Sequence, residues 1–479
     1  MNIVHKQNDC INNIKHSGQV FTPNNIVKLI LDYSEYFGPS ILNKHIIDNS
    51  CGDGAFLVEI ITRYCEEALK SGRQRNEIKK GLETYIHGIE IDTDTYNTLL
   101  HNLNATASIY GIYDISWDMH NNDALLIKEY DHKMDYVIGN PPYVRVHNLT
   151  DYSSVKSFGF ADKGMTDLYL VFYEIGLTML KDNGKLCYIT PSSWLLSIAG
   201  QNFRDHLLKT KKLVGVIDFE HQQVFSATTY SVIVLLQNDH NSNMLDYFNY
   251  DIRSNNIKYI CSLCLSQIVI NGKFYLCKPE TLTKLHDIKA HQSKQYVQVK
   301  NGFATLADRV FFGDVPNSSI TIPVLKASTG KWHKGLFPYT RDGIPIPIQT
   351  ILSEGALESY YSKNKTILLK RSSPQEEWIY YGRSQAIKDI NKIKYSVNTI
   401  INDISNLKIN VVPPGSGIYS GLYVIGNISK EKLLNLLLTE EFINYIRSLK
   451  KYKSGGYYTF NSKDLEEYLN YKLDHNENI

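Results

Sequence analysis

The sequence is poor in cysteine and lacks any long apolar run. Its seven cysteines are an odd number spread through 479 residues, which does not indicate a disulfide framework. No signal peptide is evident at the amino end, and no apolar stretch is long enough to span a membrane. Internal repeats and low-complexity tracts are also absent. These absences exclude a secreted disulfide scaffold and a membrane-spanning protein, and they predict a protein of the cytoplasm.

Metal-ligand spacings are equally scarce. The sequence 261–264, Cys-Ser-Leu-Cys, is a lone CxxC with no second pair at the spacing of a zinc site. A metal bound at this position is the alternative reading. We expect a protein that needs no metal.

Acidic and basic residues are distributed unequally between the two halves of the chain. Residues 1–240 carry 21 Lys+Arg against 28 Asp+Glu, whereas residues 241–479 carry 30 against 21. A polar stretch at 237–243 marks a boundary between the halves. The length suits two or three domains. We therefore predict an acidic domain at 1–240 and a basic domain at 241–479 that is suited to phosphates.

An apolar run at 135–139 ends in the tetrapeptide Asn140-Pro141-Pro142-Tyr143. The run predicts a buried strand that stops where two prolines prevent further ladder pairing. An amide and an aromatic ring then lie at the carboxyl end of the strand, where open α/β sheets hold ligands. The alternative is a plain turn, because Asn-Pro-Pro is also a common turn former.

A glycine loop precedes this tetrapeptide. Residues 45–57 read as a strand, a tight turn with Gly52 and Gly54, and a helix beginning near Ala55. The segment 84–92 contains a second strand that ends in Glu90. The two carboxylate oxygens of Glu90 suit the hydroxyls of a ribose. These segments predict the first units of a nucleotide-binding sheet.

Two further acids near these strands have less specific patterns. We expect Asp92 to cap the following helix, as Asp commonly does. Asp123 precedes the strand that leads to Asn140, and its alternatives are a ligand contact and a helix cap or turn.

In this order, the motifs resemble those of the γ-class (TaqI-like) adenine-N6 DNA methyltransferases over nearly all of residues 15–240. Further segments are similar to elements of that family, namely 18–23, 166–170, 184–191 and 223–225 with the apolar run 230–236. Asn49 departs from the pattern, since many relatives carry proline there, and so does Asp53 between the glycines. The resemblance implies a Rossmann-like α/β methyltransferase domain followed by a mixed α+β target-recognition domain.

The resemblance also implies S-adenosyl-L-methionine as cofactor and duplex DNA as substrate. The implied cofactor site comprises Phe21, Thr22, Asp48, Ser50, Cys51, Gly52, Gly54, Phe56, Glu90, Ile91, Asp123, Ala124, Asn140 and Pro142. The implied catalytic set is Asn140, Pro141, Pro142, Tyr143 and Phe225. A monomer is expected. The 17 residues before Gly18 are too few for a fused nuclease, so a cognate restriction endonuclease would be a separate partner.

The residue types fit direct methylation of an aromatic amine. Asn140 Oδ1 and the Pro141 carbonyl offer two acceptors to an amino group, and Tyr143 offers a stacking face. A base in a duplex must first be extruded, at a cost of roughly a few kcal/mol. Phe225 is a second candidate for stacking on the extruded base, and the alternative is that Phe225 is a core residue. Methylation of a cytosine ring carbon needs a thiolate, usually in a Pro-Cys dipeptide, and no cysteine here follows a proline.

The carboxyl half predicts strands near 296–302 and 417–425 and helices within 430–452. Its basic clusters are Lys363/Lys365/Lys370/Arg371 and Lys450/Lys451/Lys453, and the second runs into a Gly-Gly-Tyr-Tyr segment. Each cluster alone is also compatible with a solvated face. The residues that we predict to contact DNA are Arg341, Arg371, Arg383, Lys451, Lys453 and Tyr457.

Several other functions use a similar motif. Protein glutamine methyltransferases share the tetrapeptide, but they are short and lack both the 18–23 segment and a basic carboxyl domain. Adenine-N6 methylation of RNA and exocyclic methylation of cytosine are further alternatives, and the latter enzymes more often have Ser in place of Asn140. A non-catalytic DNA-binding module is the alternative outside enzymes. The prediction is a site-specific DNA adenine-N6 methyltransferase of the bacterial nucleoid.

Overall fold

The computed structural model describes residues 22–149, 154–225, 229–292, 294–372 and 375–475. The chain forms two compact units, Met1–Leu282 and Thr283–Ile479. The division therefore falls beyond the boundary predicted at residue 240. The reason is that two strands after residue 240 pair with the sheet of the first unit.

Within the described residues, nine strands of the first unit form one sheet in the order β3-β2-β1-β4-β5-β7-β6-β8-β9. These strands are β1 Ile46–Asp48, β2 Ile86–Glu90, β3 Asp118–Asn121, β4 Met134–Gly139, β5 Leu180–Pro191, β6 Leu213–Asp218, β7 Ser231–Gln237, β8 Met244–Asp251 and β9 Asn256–Cys264. Strands β1 to β5 are parallel, and β7 runs antiparallel between β5 and β6. The order reverses between β1 and β4, which makes the edge beyond their carboxyl ends the topological switch point.

Most of the described helices of the first unit lie between successive strands of the sheet, while the first precedes β1 and the last follows β9. They are α1 Asn24–Tyr33, α2 Ala55–Lys70, α3 Arg75–Tyr85, α4 Thr93–Ile109, α5 Leu168–Met179, α6 Gln201–Thr210 and α7 Pro279–Ala290, which crosses into the second unit. Strands β1 and β2 are buried along their whole length, as expected for central parallel strands with helices on both faces. The predicted strand at 135–139 is confirmed as β4, and the predicted helix start is confirmed at Ala55.

The second unit is mixed α+β, with three small sheets in its described part. Its strands are β12 Val297–Asn301, β13 Phe312–Gly313, β14 Thr321–Lys326, β15 Lys331–Leu336, β16 Lys394–Val397, β17 Ile400–Ile401, β18 Ile409–Val412, β19 Gly417–Tyr419, β20 Leu422–Gly426, β21 Tyr452–Lys453 and β22 Tyr457–Thr459. A short hairpin, β10 Val269–Ile270 with β11 Lys273–Phe274, lies in the first unit. The strands predicted near 296–302 and 417–425 are thereby confirmed.

The helices of the second unit are α8 Asp308–Phe311, α9 Ile348–Leu352, α10 Gly355–Leu369, α11 Lys430–Leu437, α12 Glu440–Ser448 and α13 Ser462–His475. Helices α11 and α12 confirm the helical prediction within 430–452. Ser429 and Thr439 cap them, because each side-chain oxygen accepts the backbone N–H of the residue three positions on. An aromatic-rich core around Phe303, Phe311 and Tyr381 underlies the sheet that contains β14 and β15.

Candidate active site

A tight glycine turn follows β1. Gly52 and Gly54 both have positive φ, at 55° and 94°. A Cβ on Gly54 would lie 2.6 Å from Leu99 Cδ1 of α4, so only glycine allows the turn to pack this closely. A Cβ on Gly52 would meet nothing within 4 Å, because this residue borders open space. The turn therefore places bare backbone at the switch point.

That open space is a cavity of about 570 Å³ beyond the carboxyl ends of β1, β2 and β4. The structure brings together nearly all the residues predicted for the cofactor site, and those on the cavity wall are Thr22, Asp48, Ser50, Cys51, Gly52, Phe56, Glu90, Ile91, Asp123, Ala124, Asn140 and Pro142. Gly54 shapes the turn without lining the cavity. Phe21 lies outside the described residues.

Two carboxyl groups on the wall are buried close to the glycine turn. Asp48 Oδ1 accepts the Ser50 N–H at 3.1 Å, and burial raises the pKa of Asp48 to about 7, with the Glu90 charge adding to the rise. Glu90 accepts the N–H groups of Gly52 and Asp92, both at 2.9 Å. Burial also raises the pKa of Glu90, and these two backbone hydrogen bonds oppose the rise. The turn and β2 are thus tied together by a carboxylate that borders the cavity.

The two other acids have different positions. Asp92 is the N-cap of α4, since its side chain accepts the Thr95 N–H at 2.8 Å, which confirms the predicted cap. Asp123 accepts the Leu125 N–H at 2.9 Å and also lines the cavity. Asp123 therefore stabilises a turn and also faces the cavity, so its two predicted roles, a ligand contact and a turn, do not exclude each other.

Asn140 follows β4 directly and lies on the same cavity wall. Its Nδ2 donates a hydrogen bond to Thr22 Oγ1 at 3.1 Å. With this orientation, the carbonyl end of the amide is the end that can accept from an amino group. Two residues further on, Pro142 also lines the cavity, whereas Pro141 does not.

Tyr143 and Phe225 lie next to each other, as expected for two residues of one base pocket. Their ring centroids are 6.0 Å apart, with an angle of 73° between the ring planes. The Tyr143 hydroxyl donates to the Ile189 carbonyl at 3.1 Å, and Phe225 is buried. A base sandwiched between two rings needs near-parallel faces about 7 Å apart, roughly two carbon contact distances. The rings in this arrangement pack edge to face and do not enclose such a slot.

In the second unit, the structure contradicts one predicted DNA contact outright. The Arg371 guanidinium donates to the carbonyls of Leu368, Thr305, Trp378 and Tyr380 at 2.5–3.0 Å. Four of the five N–H donors of an arginine are thereby used within the unit. Arg371 is a structural residue, and the prediction that it contacts DNA is wrong.

The structure also contradicts the predicted DNA contact of Lys451. Its ammonium pairs with Asp464, which Lys289 also approaches at 3.1 Å, and all three side chains are largely buried. A lysine held in this way neutralises a buried carboxylate and does not present its charge to a phosphate. By contrast, Arg341, Arg383 and Lys453 are exposed and Tyr457 is half-exposed, so their assignment to DNA stays a prediction.

This unit also contains a basic hairpin that was not predicted from the sequence. Strands β14 and β15 are antiparallel, with Lys326 directly opposite Lys331, and Trp332 beside them is 46% exposed. No Asp or Glu occurs between positions 315 and 341. That gap in the acids was visible in the sequence. The structure adds the pairing that places the two lysines directly opposite each other, and like charges in that position cost stability unless an anion is near.

Two features are absent from the described residues. No group of His, Cys, Asp and Glu in the described ranges has the arrangement of a metal site. Cys261 and Cys264 both belong to β9, where a separation of three positions directs them to opposite faces of the strand. Among the same residues, no helix combines the length and apolarity needed to cross a membrane.

The strand order, the switch-point cavity and the glycine turn define the Rossmann-like fold of S-adenosylmethionine-dependent methyltransferases, joined here to an additional α+β unit. Residues 56–225 match the family described as Eco57I restriction-modification methylase. The chain is 29% identical over 237 residues to Type II methyltransferase M.BstVI of Geobacillus stearothermophilus, a match that covers 46% of this chain and 42% of that protein.

A longer match is to the Type II restriction enzyme and methyltransferase RM.Eco57I of Escherichia coli. It is 24% identical over 440 residues, covering 78% of this chain and 43% of the relative. The chain thus spans less than half the length of either relative. Among solved structures, the Type IIL restriction-modification enzyme MmeI in complex with DNA matches 91% of this chain and 63% of its own, with a TM-score of 0.61 and 16% identity. At that identity the likeness shows the fold alone.

Proposed function

We propose that the protein is a site-specific DNA adenine-N6 methyltransferase of the γ class that uses S-adenosyl-L-methionine. The observation that carries the proposal is the position of Asn140. It lies on the wall of the same cavity as Gly52 and Glu90, at the switch point of the sheet. The names of the relatives, Type II methyltransferases, agree with this proposal.

The cavity fits the cofactor. S-adenosylmethionine supplies a methyl group on a positively charged sulfonium, and it also carries an adenosine. Asp48, Glu90 and Asp123 supply negative charge around the cavity, and the bare Gly52 backbone allows close approach. A carboxylate has about four acceptor sites, so Glu90 can bind ribose hydroxyls in addition to its backbone partners.

The reactive amine is held by this chain's own acceptors. We assign the two hydrogens of the adenine amino group to Asn140 Oδ1 and the Pro141 carbonyl. Adenine nitrogen is a weak nucleophile because its lone pair is delocalised into the ring. Two acceptors drawing on its hydrogens favour a pyramidal nitrogen with a localised lone pair. Thr22 Oγ1 orients the amide, because it accepts from Nδ2.

The target base needs a stacking slot, which we assign to Tyr143 and Phe225. Because the rings meet at 73°, base entry must turn or shift at least one of them. Tyr143 is held through its hydroxyl to Ile189 on β5. We therefore infer that Phe225 is the ring that moves. Stacking on aromatic side chains contributes about 1–3 kcal/mol per base, which offsets part of the cost of extrusion.

Cofactor affinity should depend on pH through Asp48. Because its pKa is raised to about 7, the carboxyl is mostly protonated below that pH, and a cationic ligand must displace the proton. We expect the affinity for S-adenosylmethionine to rise about fivefold from pH 6 to pH 7 and to level off above pH 8. Calorimetry in two buffers of different ionisation enthalpy measures the released proton.

The matched pair for this measurement is Asp48→Asn and Asp94→Asn. Asp94 is an exposed acid of α4. The Asp48→Asn protein should show a flat pH profile with no proton release, and Asp94→Asn should behave as the parent protein. A parent affinity that does not change between pH 6 and pH 8 would refute the role of Asp48.

We assign the basic hairpin β14–β15 to the phosphates of DNA. Lys326 and Lys331 are paired in register, so a double Lys→Glu variant reverses both charges of one small surface. We expect weaker DNA binding and a salt dependence whose slope falls by about one unit per lysine lost. Titration of labelled duplex at several salt concentrations gives both quantities.

Lys70→Glu is the control for that surface. Lys70 is an exposed lysine at the end of α2, at the opposite edge of the sheet from the cavity. Its replacement should leave the affinity and the slope within error of the parent. An unchanged salt slope in the hairpin variant would remove the hairpin from the DNA interface.

The proposed function is tested with tritiated S-adenosylmethionine and three acceptors: duplex DNA, RNA and protein extract. Label in DNA supports the proposal, while label in RNA or in protein supports the alternatives of RNA adenine-N6 or glutamine-amide methylation. Sequencing of the modified DNA for methyladenine then identifies the recognition sequence. We further propose a monomer in the bacterial cytoplasm, associated with the nucleoid, with any restriction endonuclease as a separate protein.

A further inference from the structure

Two large apolar side chains are exposed beside the candidate active site. Met165 is 68% exposed and Ile198 is 74% exposed. Single exposed apolar residues are ordinary on protein surfaces and need no explanation by themselves. These two differ because the chain places them at the same edge of the sheet as Asn140.

Met165 belongs to a segment that pairs with the chain leaving the Asn-Pro-Pro-Tyr motif. The Val146 N–H donates to the Thr166 carbonyl at 2.9 Å, and the Leu168 N–H donates to the Val144 carbonyl at 2.7 Å. Val144 and Leu168 line the cavity. Met165 therefore projects from a segment whose neighbours form part of the cavity wall.

Ile198 lies on a turn that follows β5, the strand next to β4. A buried arginine, Arg204, fixes this turn by donating hydrogen bonds to the Trp194 carbonyl and, at 2.9 Å, to the Ser197 carbonyl. A Cβ on Gly200 would lie 2.1 Å from the Trp194 carbonyl oxygen, so the path of the turn is tightly determined. An exposed isoleucine is thus presented on a rigid support.

The segments that carry the two side chains adjoin each other at Gly164. Gly164 precedes Met165, and a Cβ built on it would lie 3.3 Å from the Ala199 nitrogen and 3.4 Å from Ile198 Cγ2. Two exposed cations belong to the same paired segments: Lys163, two positions before Met165, and Arg145, whose side chain is 53% exposed and lies 3.8 Å from Asp167. Exposed apolar side chains on segments that also carry cations match the chemistry of stacked bases joined by phosphates.

We propose that Met165 and Ile198 enter the DNA duplex and fill the space that the target adenine leaves when it is extruded. The inference rests on the proposed function. Other proteins insert apolar side chains between base steps and thereby offset the loss of stacking. Lys163 and Arg145 then contact the phosphates on either side of the opened pair.

The test compares the Met165→Ala/Ile198→Ala double variant with the parent on two duplexes that contain the recognition sequence. In the first, the target adenine is paired with thymine; in the second, it lies opposite an abasic site, so no pair has to be opened. We expect the double variant to be about tenfold or more slower on the paired duplex and within about threefold of the parent on the abasic duplex.

Ile109→Ala is the matched control, because Ile109 is 78% exposed at the end of α4, at the opposite edge of the sheet. It should leave both rates unchanged. A double variant that equals the parent on the paired duplex overturns the inference, and so does one that is equally slow on both duplexes, since the second result indicates a general defect. A parent protein that methylates neither duplex would instead refute the proposed function.

Discussion

An Asn140→Ala variant should transfer methyl groups to DNA at least about a hundredfold more slowly than the parent, the size of effect seen when one precisely placed polar group is removed from an active site. The substitution removes one of the two acceptors assigned to the adenine amino group. It leaves the glycine turn and Glu90 in place, and these carry the cofactor contacts in the proposal. The affinity for S-adenosylmethionine should therefore fall far less than the rate, and the affinity for duplex DNA should change by less than about threefold.

Single-turnover methylation with tritiated cofactor measures the rate, and gel-shift titration measures DNA binding. Asn97→Ala provides the control, since Asn97 is an exposed asparagine of α4. It should retain the parent rate. If Asn140→Ala loses DNA binding and methyl transfer in equal measure, the residue supports the fold of the site and does not hold the reacting amine.

An Arg371→Ala variant should lower the free energy of unfolding of the second unit by about 2–4 kcal/mol, because several charge-assisted hydrogen bonds are lost and carbonyls inside the unit lose their donor. Arg371→Lys should recover little, since an ammonium cannot reproduce the planar fork that reaches Thr305 and Trp378 together. Urea unfolding monitored by tryptophan fluorescence measures the change.

Arg383→Ala is the counterpart to this variant. Arg383 is exposed, and its described hydrogen bond is that of its backbone N–H to the Ala304 carbonyl. Its truncation should alter stability by no more than about 0.5 kcal/mol. If Arg383 contacts DNA as predicted, its loss should appear in affinity instead. An Arg371→Ala protein as stable as the parent would contradict the structural role.

The first unit could be predicted closely from the sequence because its signals are local. The glycine turn, the apolar strands and the acid at the end of β2 lie within short segments whose spacing determines their positions in a parallel sheet. Asn140, Gly52 and Glu90 therefore converge on one cavity as the motif order indicates. The relative orientation of Tyr143 and Phe225 could not be predicted, since it depends on contacts between segments far apart in the chain.

The second unit was predicted less well because a basic residue shows its charge but not its direction. Arg371 sits in a lysine-rich cluster, yet it turns inward to a carbonyl 66 positions away. Lys451 likewise meets Asp464 through packing of α13. The excess of positive charge in this half does not depend on Arg371 and Lys451, because many side chains contribute to it. The charge alone, however, did not identify which residues contact DNA.

Strands β8 and β9 determine where the first unit can be cut. β8 pairs with β6, and β9 pairs with β8. A recombinant fragment that stops at residue 240 would therefore lack two strands of the sheet, and the backbone N–H and C=O groups of β6 that pair with β8 would be exposed. Such an open flank invites strand addition by other molecules and precipitation during expression. A fragment reaching Leu282 keeps both strands and is the better starting point for isolating the methyltransferase fold by itself.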